Sequence, residues 1–305
     1  MKIAFLFPGQ GVQHVGMGKD LYDNFEIVKK FYDNVANIRD LSFNGPDEDL
    51  SQTKNTQPCL VALQVVICKL LQIHGIKADV VAGLSLGEYS ALSYAGYLSE
   101  DEAISLVTKR GEIMQNSIAQ GIGTMAAVLG LEDDVLNNIC SEVTSNNEIV
   151  EIANFNCPGQ RVLSGHIGAV QKASKLASEK GARKVISLNV AGPFHTSLYK
   201  QASNQLLSEL QKVQISTPTI QMFFNVLGDV NNSNIPIINL MQQQIYSPIF
   251  FESIINNMLK NEIETFIEVG PGKTLGSFVK KVSRTVKVYN VEDLESLNKV
   301  TKELS

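Results

Sequence analysis

The segment Val80-Val81-Ala82-Gly83-Leu84-Ser85-Leu86-Gly87-Glu88-Tyr89 sets Gly-x-Ser-x-Gly between an apolar, strand-like run and the start of a helix. In that context the pattern is a nucleophile elbow, a sharp turn that presents a serine hydroxyl at the edge of a sheet. Glycines at 83 and 87 remove the Cβ atoms that would oppose such a turn. Ser85 is therefore the candidate nucleophile. The competing reading is a glycine-rich turn without chemistry, and the strand before and helix after weigh against it.

A serine hydroxyl is a weak nucleophile until a base takes its proton. The chain has only four histidines. His74 precedes Gly75 at a helix end and reads as a surface cap, and His166 falls at a strand-to-helix junction in a different part of the chain. His195, in Gly192-Pro193-Phe194-His195-Thr196, stands where a strand gives way to a helix. A base must be held by ordered backbone within hydrogen-bond reach, so His195 is favoured over His14, which lies in the glycine-rich turn after the first strand and stays open as the alternative. Arg110 shares a helix face with Ala103, Leu106, Val107 and Met114, which aims a guanidinium at the interior. Either it pairs with a buried acid, or snorkels to solvent, or it clamps the carboxylate of a substrate. An oxyanion needs two N–H donors. The amide of Leu86 is the first, and that of Gln10, in Pro8-Gly9-Gln10-Gly11, is the second candidate.

These residues need a frame. Lys2 to Phe7, Asp79 to Gly83, Thr265 to Val269 and Val286 to Val291 read as strands, with helices over Pro58 to Ile73, from the elbow through Ala95, and near Thr196 to Lys212 and Pro248 to Leu259. Pro58 suits a first helical turn. Another helix opens at Ser99, whose spacing to Glu102 is a capping box. The βα alternation predicts a parallel sheet. Between Thr124 and Val190 the order changes to βαββαβ, that of a ferredoxin-like module. The division expected is a catalytic body of 1–123 and 191–305 with 124–190 inserted into it. Asn231 to Pro236 is expected to be a loose loop.

The chain of 305 residues carries a net charge of −5, which argues against nucleic acid as its main partner. No leader-like N-terminus and no apolar run long enough for a membrane helix is read, so a cytoplasmic protein without membrane contact is expected. The four cysteines lack metal-ligand or disulfide spacing and read as reduced packing thiols. Gly9-x-Gly11 has His14 where a dinucleotide fingerprint needs glycine, and Gly272-Lys273-Thr274 has Ile267 where a P-loop needs one, so both motifs are rejected.

Six separated segments, Phe7-Pro8-Gly9-Gln10-Gly11, Gly83-Leu84-Ser85-Leu86-Gly87-Glu88, Lys109-Arg110-Gly111-Glu112, Asn156-Cys157-Pro158-Gly159-Gln160, Gly192-Pro193-Phe194-His195 and Glu268-Val269-Gly270-Pro271-Gly272, together resemble the malonyl-CoA:acyl carrier protein transacylases, from about Lys2 to past Lys280. The resemblance implies an α/β-hydrolase-like large domain with an inserted ferredoxin-like subdomain. It also implies Ser85 as acylated nucleophile, His195 as base, Arg110 as partner of the malonyl carboxylate, and Gln244 at the place whose main-chain carbonyl orients the histidine. Asn154 and Gln160 match positions lining the site. Phe194 resembles malonyl-selective members, whose bulky ring leaves little room for a branch on the acyl α-carbon and so disfavours methylmalonyl. Leu84 stands where many relatives have His, and Tyr199 where Met is common.

The activity implied is transfer of malonyl from malonyl-CoA to the phosphopantetheine thiol of acyl carrier protein in fatty acid synthesis, with no metal or redox cofactor. Arg183, Lys184, Lys280, Lys281 and Arg284 are candidates for contact with the acidic carrier or the CoA phosphates, or are ordinary solvated charges. Three other readings stay open: a serine esterase or thioesterase, a non-catalytic scaffold, and a discrete acyltransferase of polyketide synthesis.

Overall fold

The computed structural model describes residues 1–119 and 121–304. Its strands, in chain order, are β1 (Ile3–Phe7), β2 (Val80–Gly83), β3 (Gly123–Leu129), β4 (Val150–Cys157), β5 (Gln160–His166), β6 (Lys184–Leu188), β7 (Gln221–Phe224), β8 (Asp229–Val230), β9 (Thr265–Val269) and β10 (Lys287–Val291). They form one sheet in the order β10-β9-β1-β2-β7-β8 and another in the order β4-β5-β3-β6.

Every residue of β1, β2 and β9 is buried. Strands apolar on both faces need helices on both faces, which is how a parallel sheet is built. Five strands of the large sheet are indeed parallel. The expectation fails only at the edge, where β8 turns back antiparallel to β7. β1 and β2 run in register to Phe7 and Gly83, and Ala82 pairs with Phe223 of β7. The turns after β1, β2 and β7 therefore open on one crevice at the carboxyl ends of adjacent strands, the usual ligand site of such sheets.

The helix expected to begin at Pro58 begins at Thr53 and runs to Ile73. Pro58 is thus interior, where it withholds the hydrogen bond to the Lys54 carbonyl. Two side-chain bonds hold the turn before it: Thr56 Oγ1 donates to the Leu50 carbonyl at 2.5 Å, and the Lys54 N–H donates to Gln115 Oε1 at 3.1 Å. By length and composition this helix could cross a membrane, against the sequence expectation, yet 83% of its most apolar stretch is buried in the fold. It is the core helix, packed against the helix Glu100–Ser117. That second helix starts as expected, with Ser99 Oγ accepting the Glu102 N–H at 3.2 Å and the Glu102 carboxylate accepting the Ser99 N–H at 2.8 Å.

The small sheet follows the order β3, helix Asp133–Val143, β4, β5, helix Ile167–Glu179, β6, with every neighbouring pair antiparallel. Leu136, Ile139, Val150, Leu163 and Ala173 form its own core. It is fastened to the large sheet's helices in two ways. The Ile249 N–H donates to the Ala153 carbonyl and the Phe155 N–H donates to the Ile249 carbonyl, at 2.9 and 2.8 Å. Arg161 donates to both carboxylate oxygens of Asp133 and to Glu252, which lies on the helix Phe251–Lys260. Cys59, Cys68, Cys140 and Cys157 are buried free thiols.

Candidate active site

The elbow owes its shape to close packing. A Cβ on Gly83 would overlap the Gly87 backbone, and one on Gly87 would overlap the Phe7 carbonyl. Both glycines serve through their missing Cβ atoms, as the sequence reading expects, and neither is left-handed. The strained residue is Ser85 itself, at φ 53°. Its hydroxyl is consequently lifted out of the path of the chain and into the crevice.

His195 enters from the turn after β6, which is pinned by Thr196 Oγ1 donating to the Pro193 carbonyl at 2.8 Å and by Ser197 donating to the Glu151 carboxylate. Its Nε2 lies 2.7 Å from Ser85 Oγ. Its Nδ1 lies 2.8 Å from the Gln244 main-chain carbonyl. A carbonyl can only accept, so Nδ1 carries the proton and Nε2 is left as the acceptor that a base requires. His14, the alternative base, is exposed, and its ring meets the carbonyl of Val15 rather than Ser85.

Arg110 is 1% exposed, and its contacts are all neutral. Its Nη1 donates to Gln57 Oε1 at 2.9 Å, and its Nη2 donates to Gln244 Oε1 at 3.0 Å and to Ser85 Oγ at 3.1 Å. The Tyr89 ring lies under it at 5.4 Å, and Nε has no partner. No acid among the described residues forms an ion pair with Arg110. The structural ion pair weighed from the sequence is therefore not formed: the buried Glu88 acts on Arg110 only through space, and burial raises its own carboxyl, so the guanidinium has no carboxylate in direct contact.

A family model described as an acyl transferase domain matches residues 4–305. The chain belongs to this acyl transferase family. Over 301 residues the acyltransferase is 42% identical to the malonyl CoA-acyl carrier protein transacylase of Bacillus subtilis (strain 168), covering 97% of this chain and 95% of that one. Its fold is similar to the crystal structure of the protein of that name from Clostridium perfringens, with TM-score 0.95, 40% identity, and 100% and 97% of the two chains covered. It is also similar, at TM-score 0.94, 32% identity and 99% and 100% coverage, to a malonyl-transacylase solved in complex with its type II PKS acyl-carrier protein.

Electrostatics favour a neutral imidazole in this acyltransferase. Burial first, and the Arg110 charge second, push the His195 pKa down to about 4. The acid limb of kcat/KM, which reports the free enzyme, is accordingly expected near that value, with a flat profile between pH 7 and about 5. A limb at the ordinary histidine value of about 6.5 would contradict this. The same shift links to stability. The unfolded chain takes up a proton below about 6.5 that the folded site resists until about 4, so stability falls with pH across that window, by about 3 kcal/mol at most. Burial also raises the Glu88 carboxyl to about 8, leaving it mostly protonated at neutral pH.

Among the described residues no hydrogen bond occupies the Leu86 or Gln10 amide. The Ser85 amide, in contrast, is taken by Asn225 Oδ1 at 2.7 Å. The Gln10 turn is tied to the elbow helix through Gln64, whose Nε2 donates to the Pro8 carbonyl at 2.8 Å and whose Oε1 accepts the Ser90 hydroxyl at 2.5 Å. The structure brings Ser85, His195, Arg110 and Gln244 together. Phe194 stacks obliquely on Tyr199 at 5.8 Å, and the Tyr199 hydroxyl donates to the Met114 carbonyl. Asn154 is buried in β4 where that strand meets Ile249, and it makes no hydrogen bond to the four. Gln160 is turned elsewhere, toward Cys157 and Lys281 Nζ, the latter at 2.8 Å. Gln57, Gln64 and Asn225 were not anticipated. The first two carried a signal: seven residues apart, they place two polar groups on one face of an otherwise apolar helix.

Proposed function

We propose that this acyltransferase moves malonyl from malonyl-CoA to the phosphopantetheine thiol of an acyl carrier protein, in the cytoplasm and for fatty acid biosynthesis. The observation that carries the proposal is Arg110, a buried guanidinium without a counter-ion whose Nη2 is 3.1 Å from the nucleophile. A malonyl group is an acyl group that ends in a carboxylate. Seated on Arg110, that carboxylate supplies the missing charge and holds the thioester carbonyl over Ser85.

His195 Nε2 takes the Ser85 proton as Oγ adds to the carbonyl carbon, and the negative oxygen is held by the Leu86 and Gln10 amides. Collapse breaks the C–S bond, the imidazolium returns its proton to the CoA sulfur, and malonyl-Ser85 remains. The carrier's thiol then gives its proton to His195, attacks the ester, and Ser85 leaves with that proton. The Gln244 carbonyl keeps the imidazole in the required tautomer throughout. For this work the chain divides into a catalytic body of 1–123 and 191–305 and an inserted subdomain of 124–190. Carrier contact is assigned to one end of the small sheet, where Gln160 and Lys184 flank Leu129 on neighbouring strands and Lys281 reaches Gln160.

A discrete acyltransferase of polyketide synthesis is the second reading, favoured by the likeness to the malonyl-transacylase complexed with a type II PKS carrier. Presenting the malonylated protein with each holo-carrier separates the two, since the cognate carrier discharges the enzyme faster. A transferase keeps the acyl group until a thiol acceptor arrives. Free malonate released at the same rate with and without carrier would identify a thioesterase instead.

A further inference from the structure

Ser85 is a non-glycine residue at φ 53°, a conformation that persists only where its surroundings impose it. Asn225, the residue after β7, imposes it with every hydrogen-bonding group it has. Its Oδ1 accepts the Ser85 N–H at 2.7 Å, and its Nδ2 donates to the Gly83 carbonyl at 2.5 Å. Its main-chain N–H donates to Glu88 Oε2 at 2.6 Å, and its carbonyl accepts the Phe250 N–H at 3.0 Å. Asn225 is fully buried and Glu88 is 1% exposed. The orientation of the carboxamide is fixed by its partners, because an amide N–H can only donate and a carbonyl can only accept.

The geometry points to Asn225 as the positioning residue of this elbow: its carboxamide clamps Gly83 and Ser85 while Glu88 anchors the clamp, so that Ser85 Oγ stays aimed at His195. The inference rests on the reading of Ser85 as the acylated nucleophile. One consequence is that the Ser85 amide is unavailable to the oxyanion, which leaves that task to Leu86 and Gln10. Another is a chemical requirement at position 225 for one donor and one acceptor side by side. Alanine supplies neither, and an aspartate carboxylate only accepts. A protonated aspartic acid supplies both.

The test is the rate of malonyl-Ser85 formation in Asn225→Asp and Asn225→Ala, measured per labelled site by rapid quench across pH. The titratable groups facing position 225 are Glu88, at its main-chain N–H, and Arg110 and His195 across Ser85. At pH 8 both variants are expected to acylate ~10²-fold more slowly than wild type. The KM for malonyl-CoA should move less than ~3-fold, because Arg110 keeps its bonds to Gln57 and Gln244. N225D is expected to regain rate as the pH falls and its new carboxyl protonates, whereas N225A is not. A purely structural defect would lower the number of sites that label, not the rate per site. Wild-type rates in both variants, or loss in N225D without recovery at low pH, would overturn the clamp. A wild type that takes no label would overturn the reading of Ser85 instead. Should neither variant fold, hydrogen exchange of the wild-type Ser85 amide decides: slow exchange is expected, and exchange as fast as an open loop would overturn the proposal.

Discussion

His195→Ala is expected to slow malonyl transfer to Ser85 ~10⁴-fold while leaving the KM for malonyl-CoA nearly unchanged. The imidazole is 4% exposed and its Nε2 is the proton acceptor nearest to Ser85 Oγ, at 2.7 Å. Behind it, at Nδ1, stands the Gln244 carbonyl, and no carboxylate among the described residues bonds the ring. In the proposed mechanism both half-reactions use the same nitrogen, once to activate serine and once to activate the carrier's thiol. Because a thiol ionises more readily than a serine hydroxyl, discharge of a preloaded variant to the carrier is expected to suffer less than loading. Rapid-quench measurement of each half-reaction checks this. Equal rates in wild type and variant would remove His195 from the chemistry.

Arg110→Ala is expected to lower kcat/KM for malonyl-CoA by ~10³-fold and to collapse discrimination against acetyl-CoA, which has no carboxylate to lose. Truncating one partner of a buried charge pair costs about 3–5 kcal/mol, and each 1.36 kcal/mol is tenfold in rate. Arg110→Lys is not expected to restore the activity. An ammonium is a point charge and cannot reach Gln57, Gln244 and a carboxylate with one planar fork. The alanine variant should also move the acid limb upward from about 4, since the Arg110 charge is the second cause of the depressed His195 pKa. Competition between malonyl-CoA and acetyl-CoA reads the first effect and a pH profile the second. An equal fall for both substrates would show that Arg110 serves Ser85 and not the carboxylate.

What the sequence revealed about this site was local. Gly83-x-Ser85-x-Gly87 spans five residues, and the capping box at Ser99 spans four, so each is written in one stretch of chain. Arg110 was visible because its helix carries Ala103, Leu106, Val107 and Met114 on the same buried face. The βαββαβ order from β3 to β6 was also legible, since its strands are separated by clear helices or turns. What escaped was non-local. Asn225 meets Ser85 from 140 residues away, and the Gln244 side chain meets Arg110 from 134. No periodicity encodes such pairs, and β7, which delivers Asn225, is only four residues long.

The start of the core helix was misjudged for a physical reason. Proline ordinarily marks a first turn, and here Thr53 to Gln57 precede it, held by Leu50 and Gln115. That extra turn is what carries Gln57 to Arg110. The short helices Lys19–Asn24, Glu26–Asn34, Ala36–Asn44 and Asp47–Leu50 were not read either. Glu26–Asn34, Ala36–Asn44 and Asp47–Leu50 pack against the core helix and Lys19–Asn24 packs on Glu26–Asn34, so tertiary contacts rather than their own propensity hold these short helices.

The central claim is a covalent malonyl group on Ser85 whose carboxylate rests on Arg110. The most direct measurement is the intact mass of the protein after brief mixing with malonyl-CoA, beside Ser85→Ala and Arg110→Ala. One added malonyl group in wild type, none in Ser85→Ala, strongly reduced labelling in Arg110→Ala, and loss of the wild-type label on adding holo-carrier are the predicted results. A wild-type protein that turns over malonyl-CoA without ever gaining mass, or a Ser85→Ala protein that still gains it, would contradict the account.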